Sequence, residues 1–498
     1  MLASGWSRNI VQQAFVRAER RDGPIRLSTK FYQGLGIIPE ALKDFAFRTF
    51  VLLYYNQVLG LPATYVSLAL GLALLVDAVS DPLVGSFSDN FRHRWGRRHP
   101  LMLAAVVPFA LCIYALFAPP AAIQQGGALS LGVWLVVFTV STRVCMTFYT
   151  IPWSAMFAEL SEDYLERSRL MAWRFACGWV VGIGFTFLVF SYVFAGTEAI
   201  PQGQLNGANY ARFALVLACT IAVCGIVSTL LTLDQVRFLP QPQAAHRRFS
   251  PRAFADEVRA AVKNRDFIVL WLAALTSGAV SGTSQALQVY VNTYFWGMDG
   301  DALRWITLAL IGGFLGFLTV APLQARIDKK HLLVLCALAI IFITAVPVTL
   351  RLLGLAPPNG TGLLVALVVC SSIGVAYFAT IGLIMFASMV ADTLDVQEYR
   401  TGLRQEGLFN SAMSFAGKAS TAGGVLLTGL LIDFVIGMPE RATAAQVTDA
   451  MVLRIGVLDA YVVPAFNIVW LWLALKYGIT REQHAAIRAK LAGLEQKS

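Results

Sequence analysis

Two aspartates four residues apart, Asp77 and Asp81, stand inside an otherwise apolar stretch. On a helix that spacing puts both carboxylates on one face. In a low-dielectric setting two carboxylates so close do not both ionise comfortably: either a cation sits between them or one holds a proton. Ser80 and Thr147 add neutral oxygens suited to a hard cation, so Na+ at Asp77 and Asp81 is one reading. The other is structural, with the acids neutralising nearby Arg and Lys. Arg143 lies four residues before Thr147 and projects from the same side of its helix. It can supply the charge a metal ion would bring, bind an anionic solute, or close a salt bridge that opens in a working cycle. Asp44, Arg48 and Arg174 are the other ionisable residues in apolar stretches, with Lys418, alone between Gly417 and the small residues 419–424. Each costs roughly 2.5–3.5 kcal/mol or more at mid-bilayer, which makes function the default reading. For Lys418 the partners in view are Asp44 and Asp81; the alternative is an ion pair between halves that touches no solute.

The elements that must hold these residues follow from composition. The chain has 498 residues, 57% hydrophobic and 14% charged. A soluble domain is about 45–50% apolar and about 25% charged, so a water-soluble globule is excluded and a polytopic membrane protein remains. The net charge of +10 reads as topogenic charge in loops, with no nucleic-acid partner implied. Seven Cys (112, 145, 177, 219, 224, 336, 370) lie in apolar stretches with no C-x-x-C, and five His fall in polar connections or the tail. Neither set makes a disulfide framework or a catalytic metal box, and no nucleophile–base constellation appears in the spans; an enzyme is not expected.

A helical span needs about 20 mostly apolar residues. Twelve candidates follow, near 34–59, 64–90, 99–119, 129–158, 170–196, 210–236, 267–295, 303–325, 331–353, 361–391, 404–436 and 452–477. Basic residues fill the even connections: Arg92, Arg94, Arg97 and Arg98; Arg167 and Arg169; the central segment; Arg326, Lys329 and Lys330; and Arg400 with Arg404. The first three odd connections hold no Lys or Arg. The positive-inside rule then puts both termini and the central segment in the cytoplasm. The expected division is a tail at 1–31, a six-helix bundle at 32–237, a linker at 238–266, a second bundle at 267–477 and a tail at 478–498. The halves echo one another: Met156-x-Ala158-Glu159 recurs 233 residues on as Met389-x-Ala391-Asp392, and Tyr54-x-Asn56 recurs as Tyr290-x-Asn292. Two parallel six-helix repeats are the plan of the major facilitator fold.

Charges at the span ends suggest an inner gate. Arg94, Arg97 and Arg98 can pair with Asp89 or with carbonyls at helix ends. Glu159, Glu162 and Arg167 in one half, and Asp392, Asp395 and Arg400 in the other, are placed to act likewise; pure topogenic charge is the alternative.

These motifs carry a family resemblance. Asp77-Ala-Val-Ser-Asp81-Pro82-Leu-Val-Gly85 followed by Arg94-Trp95-Gly96-Arg97-Arg98 resembles the glycoside–pentoside–hexuronide:cation symporters, the melibiose-permease branch of the major facilitator superfamily. Lys43-Asp44-Phe45-Ala46, Ile151-Pro152, Glu166-Arg167-x-Arg169 and Met389-Val390-Ala391-Asp392-Thr393-x-Asp395 extend the likeness, in the family's order, over about 32–436. The resemblance implies an all-α membrane protein of twelve helices in two bundles, working as a monomer by alternating access in a bacterial inner membrane. It implies symport of a sugar with Na+ or H+ and no further cofactor. Asp77, Ser80, Asp81 and Thr147 correspond to the cation site. Asp44, Arg174 and Trp153 correspond to sugar contacts, and Lys418 lies near the cation site. The chain departs from the pattern at Thr150, where the sugar permease has an acid, and at Arg143, where it has a small residue. Alternatives within the branch are a lysophospholipid or other amphiphile as cargo, and an uncoupled sugar facilitator in which Arg143 replaces the cation.

Overall fold

The computed structural model describes residues 15–17, 23–91, 93–161, 164–197, 200–242, 265–401, 406–443, 446–479, 482–483, 486–487 and 490. Much of the expected linker, 243–264, lies outside the described residues. Eleven described helices are long and apolar enough to cross a membrane. The chain forms two compact units. The first holds the described residues up to Leu61, Leu68–Phe194, and those from Gln204 to Pro242. The second holds Pro62–Ser67, Ala195–Gly203 and the described residues from Arg265 on.

The first unit contains α1 (Leu27–Leu35), α2 (Ile38–Ala46), α3 (Ala63–Asn90, from Leu68 on), α4 (His99–Phe117), α5 (Gly127–Leu160), α6 (Tyr164–Leu188) and α7 (Gly207–Leu231). The first expected span, 34–59, is not among the eleven apolar helices. It is α2 continued through two π-helical turns, Phe47–Val51 and Tyr54–Val58. Glu40, Lys43, Asp44 and Arg48 make it too polar to read by hydropathy. Its C-terminal end is anchored by aromatics. Phe50 stacks on Phe194 at 4.7 Å between centroids, Tyr54 on Tyr210 at 4.0 Å, and Phe117 and Phe213 close the cluster. Such ring pairs add to the area they bury. At the opposite end Trp153, Met156, Tyr149 and Met102 form a second buried cluster with Ile25 and Leu239. One strand pair departs from the all-helical expectation: β1 (Phe15–Arg17) lies antiparallel to β2 (Pro240–Pro242), with Val16 opposite Gln241.

The second unit contains α8 (Arg265–Tyr290), α9 (Ala309–Arg326), α10 (Lys329–Leu352), α11 (Gly362–Thr401), α12 (Glu406–Leu430), α13 (Asp449–Val457) and α14 (Asn467–Leu475). The small residues around Lys418 have a packing reason. A Cβ on Gly424 would stand 2.2 Å from the Ala279 carbonyl, and one on Gly282 2.7 Å from that of Thr421. Thr283 Oγ1 donates across the same seam to Gly424 O at 3.0 Å. Where lipid is as apolar as leucine, close backbone approach of this kind is what holds helices together.

Candidate functional site

The intramembrane charges of the first unit form one connected array. Arg143 on α5 places Nη1 3.2 Å from Asp77 Oδ2 on α3, both side chains over nine-tenths buried. Thr147, one turn on, has its hydroxyl 3.1 Å from Asp77 Oδ1, 3.2 Å from Asp81 Oδ1 and 3.1 Å from the Arg143 carbonyl. Its single proton can serve only one of the three at a time. Spacing puts Asp77 with Asp81, and Arg143 with Thr147, on single helix faces; in the structure those two faces meet. Pro82 in α3 and Pro152 in α5 each lack the N–H that would bond the carbonyl four residues back.

The array continues through an aromatic ring. Phe47 carries the Arg143 guanidinium at 5.4 Å and Lys43 Nζ at 5.6 Å from its centroid, the geometry of cation–π attraction. Lys43 is buried and pairs with Asp44 Oδ1, while Asp44 Oδ2 lies 3.8 Å from Arg48 Nη2. The charges thus run in sequence from Arg48 through Asp44, Lys43, Arg143 and Asp77 to Asp81, with the like-charged neighbours separated, Lys43 and Arg143 by the Phe47 ring and Asp77 and Asp81 by the Thr147 hydroxyl. Glu40, a turn before Asp44, lies within electrostatic reach of Lys43, Asp44 and Arg174. Spacing arguments pass over Glu40 and Lys43 because they fall near the end of the apolar run. The i,i+4 register of Glu40 and Asp44 is the signal that points to them.

Other predicted residues make different contacts. The Ser80 hydroxyl donates to the Asp77 main-chain carbonyl at 3.2 Å, and Thr150 donates to Met146 O at 3.0 Å. Trp153 is wholly buried, its indole N–H donating to Gln33 O at 3.0 Å. Arg174 lies 3.8 Å over the Trp153 ring and 6.0 Å over that of Phe157. Lys418 stands on α12 in the second unit.

The span-end charges form two latches, one in each unit. In the first, Arg97 and Arg98 each reach Glu159 Oε1 at 2.6 Å, and Arg98 also meets Asp89 Oδ1 at 2.7 Å and Ser88 Oγ at 2.8 Å. Burial pulls the Arg97 guanidinium below its ordinary pKa, and Glu159 pushes it back up. Arg94 lies over Trp95 at 5.4 Å. In the second, Lys329 Nζ reaches both oxygens of Asp392, at 2.9 and 2.7 Å. The repeat predicts these partners: Arg97-Arg98-His99 recurs 232 residues on as Lys329-Lys330-His331, and Glu159 recurs 233 residues on as Asp392. The side chains of Arg167 and Arg400, and Glu162, lie outside the described residues. A third cluster fastens α1 to α6. Glu166 accepts from Lys30 Nζ at 2.8 Å, Arg169 Nη1 at 2.7 Å and the Ile25 N–H at 3.2 Å. The Lys30 bond, ahead of the other contacts, holds its carboxyl below the usual carboxylate range.

Comparison with known proteins follows the same lines. The MFS/sugar transport protein family matches residues 32–481. A glucuronide carrier protein homologue of Escherichia coli K12 is 25% identical, over 87% of this chain and 90% of its own. The sphingosine-1-phosphate transporter MFSD2B of Mus musculus is 24% identical over 89% and 87%. The inward-open xylose transporter XylE from E. coli shares the fold, with a TM-score of 0.55 and 12% identity, over 93% of this chain and 98% of its own. With a family match over nearly the whole described chain and eleven apolar helices to carry it, this is a multi-pass inner-membrane transporter, not an enzyme, and it belongs to the MFS/sugar transport protein family.

Proposed function

We propose that the protein carries a glycoside or related sugar together with a cation, Na+ or H+, by alternating access, with both termini and the linker in the cytoplasm. The observation that carries this reading is the buried Arg143–Asp77 pair, with Thr147 between Asp77 and Asp81. A bare carboxylate pair sealed from water loses its hydration and is expensive to close over. Arg143 offsets that cost in the empty carrier. An entering cation competes with Arg143 for Asp77: Na+ by taking Asp77, Asp81 and Thr147 oxygens as ligands, H+ by neutralising a carboxylate. Either releases the guanidinium and makes the closed, loaded state accessible. Asp44, Thr150, Trp153, Arg174 and Lys418 are the residues we assign to the sugar side, with Arg174 on its aromatic platform the donor for solute hydroxyls. The family match, and the glucuronide carrier name of one relative, support sugar as cargo.

Proteoliposomes under an imposed Na+ or pH gradient test this. Accumulation of labelled glycoside above equilibrium is expected under one of the two gradients. Asp77→Asn and Asp81→Asn should abolish accumulation while sparing exchange. Accumulation that survives in the Asp77→Asn, Asp81→Asn double variant would falsify the coupling site. The tight Arg143–Asp77 pair favours a second reading, an uncoupled facilitator, and wild-type protein that only equilibrates sugar under both gradients would establish it. Uptake of lysolipid but no sugar would overturn both.

A further inference from the structure

One buried acid takes no part in this scheme. Asp459 lies ten residues beyond Asp449 along the last span, about 15 Å at 1.5 Å per residue and so well inside the hydrocarbon. It is nine-tenths buried. The backbone around it departs from the α-helix: Leu458–Val462 is a π-helical turn, with the Val463 N–H bonding Leu458 O. Insertions of this kind inside helices concentrate at functional sites.

No counter-charge reaches it among the described residues. The elements packed on this turn are α10, α8 and α13. On α10, Lys329 is held by Asp392, Lys330 donates to Tyr477 O, and Arg351 donates to Phe295 O and Asn359; His331 opens the same helix. On α8, Asp266 accepts from the Gly478 N–H, and Arg265 starts the helix. On α13, Arg454 donates to the carbonyls of Val435 and Ile436, and Asp449 opens the helix. Tyr461 shares its hydroxyl with Thr349. None of these forms a salt bridge with Asp459. An ionised carboxylate at mid-span without cation or donor is the costliest state available to it; the protonated acid avoids that cost.

We propose that Asp459 is a proton-binding site of the second unit, separate from the carboxylates of the first, and that it holds its proton whenever this turn is sealed from water. The assignment is independent of what the solute is. Two readouts on the full chain in lipid test it. The infrared C=O band of a protonated carboxylic acid should be present at neutral pH and lose one component in Asp459→Asn, while Asp77→Asn, Asp81→Asn leaves that component in place. Wild-type protein must also release this proton on unfolding above the ordinary carboxylate range. The melting temperature of Asp459→Asn should therefore rise relative to wild type as pH is raised from mildly acid to alkaline. If Asp459→Asn fails to fold, Asp459→Glu should keep the band at a shifted frequency. No band lost in Asp459→Asn, no shift in Asp459→Glu, or a melting difference that does not change with pH overturns the proposal.

Discussion

Thr147 has one hydroxyl proton and three acceptors within reach, Asp77, Asp81 and its own helix. Which one it serves sets how much negative charge the pair presents to a cation. Thr147→Val keeps the shape and removes both the proton and the ligand oxygen. Leaving a buried acceptor unmade costs about 1–3 kcal/mol, so the half-saturating cation concentration should rise roughly tenfold for each 1.4 kcal/mol lost. Uptake titrated against Na+ and against pH measures it, with sugar exchange at saturating cation nearly unchanged. Each pair at this centre was legible because its members are four apart on a single helix, where period alone dictates proximity; that the two pairs face one another came from the family resemblance. Lys43, Phe47 and Glu40 were less so. Their part depends on how α2 packs beside α5, which no spacing within one segment encodes. Asp459 escaped notice as one acid in an apolar run, although its depth in the span was countable from the sequence.

The α8–α12 seam and the α1–α6 clasp show two ways an element is fixed in place. At the seam, backbone meets backbone, so Gly282→Leu must force the helices apart. Overpacking of this type costs about 1–3 kcal/mol, and the variant should melt earlier in detergent, whereas Gly423→Ala, with open space around it, should not. The small-residue run was visible in sequence as a feature of α12, but its reason lies on α8, some 140 residues away. At the clasp the bond is ionic and titrates. The Glu166 carboxyl is held below its ordinary range, chiefly by Lys30. Its contribution is therefore complete above the ordinary glutamate pKa and is lost as pH falls through the lowered one. Limited proteolysis ahead of α1 should accelerate on acidification below the ordinary glutamate range, and Glu166→Gln should cleave rapidly at neutral pH as well.

Across the whole chain the two halves have kept one device and diverged in another. Both retain a base-to-acid latch, Arg97 and Arg98 on Glu159 and Lys329 on Asp392. The repeat offset locates the second from the first, so the latches were readable in principle, yet each joins segments more than 60 residues apart and the pairing needed the fold. Removing one partner of a buried pair costs up to about 3–5 kcal/mol. Because the latches lie in different units, Glu159→Gln and Asp392→Asn should destabilise additively, within about 0.3–0.5 kcal/mol, in a double-mutant cycle of thermal stability. The mid-span array, by contrast, belongs to the first unit. Its members Lys43, Arg48, Arg143 and Arg174 balance Glu40, Asp44, Asp77 and Asp81 in charge. A transmembrane voltage exerts no net force on a balanced set, but it acts on one added cation with about 2.3 kcal/mol per 100 mV. The array should accordingly add current to the loaded step and little to the return of the empty carrier, so that any voltage dependence left in that return falls to Lys418 of the second unit and should vanish in Lys418→Gln.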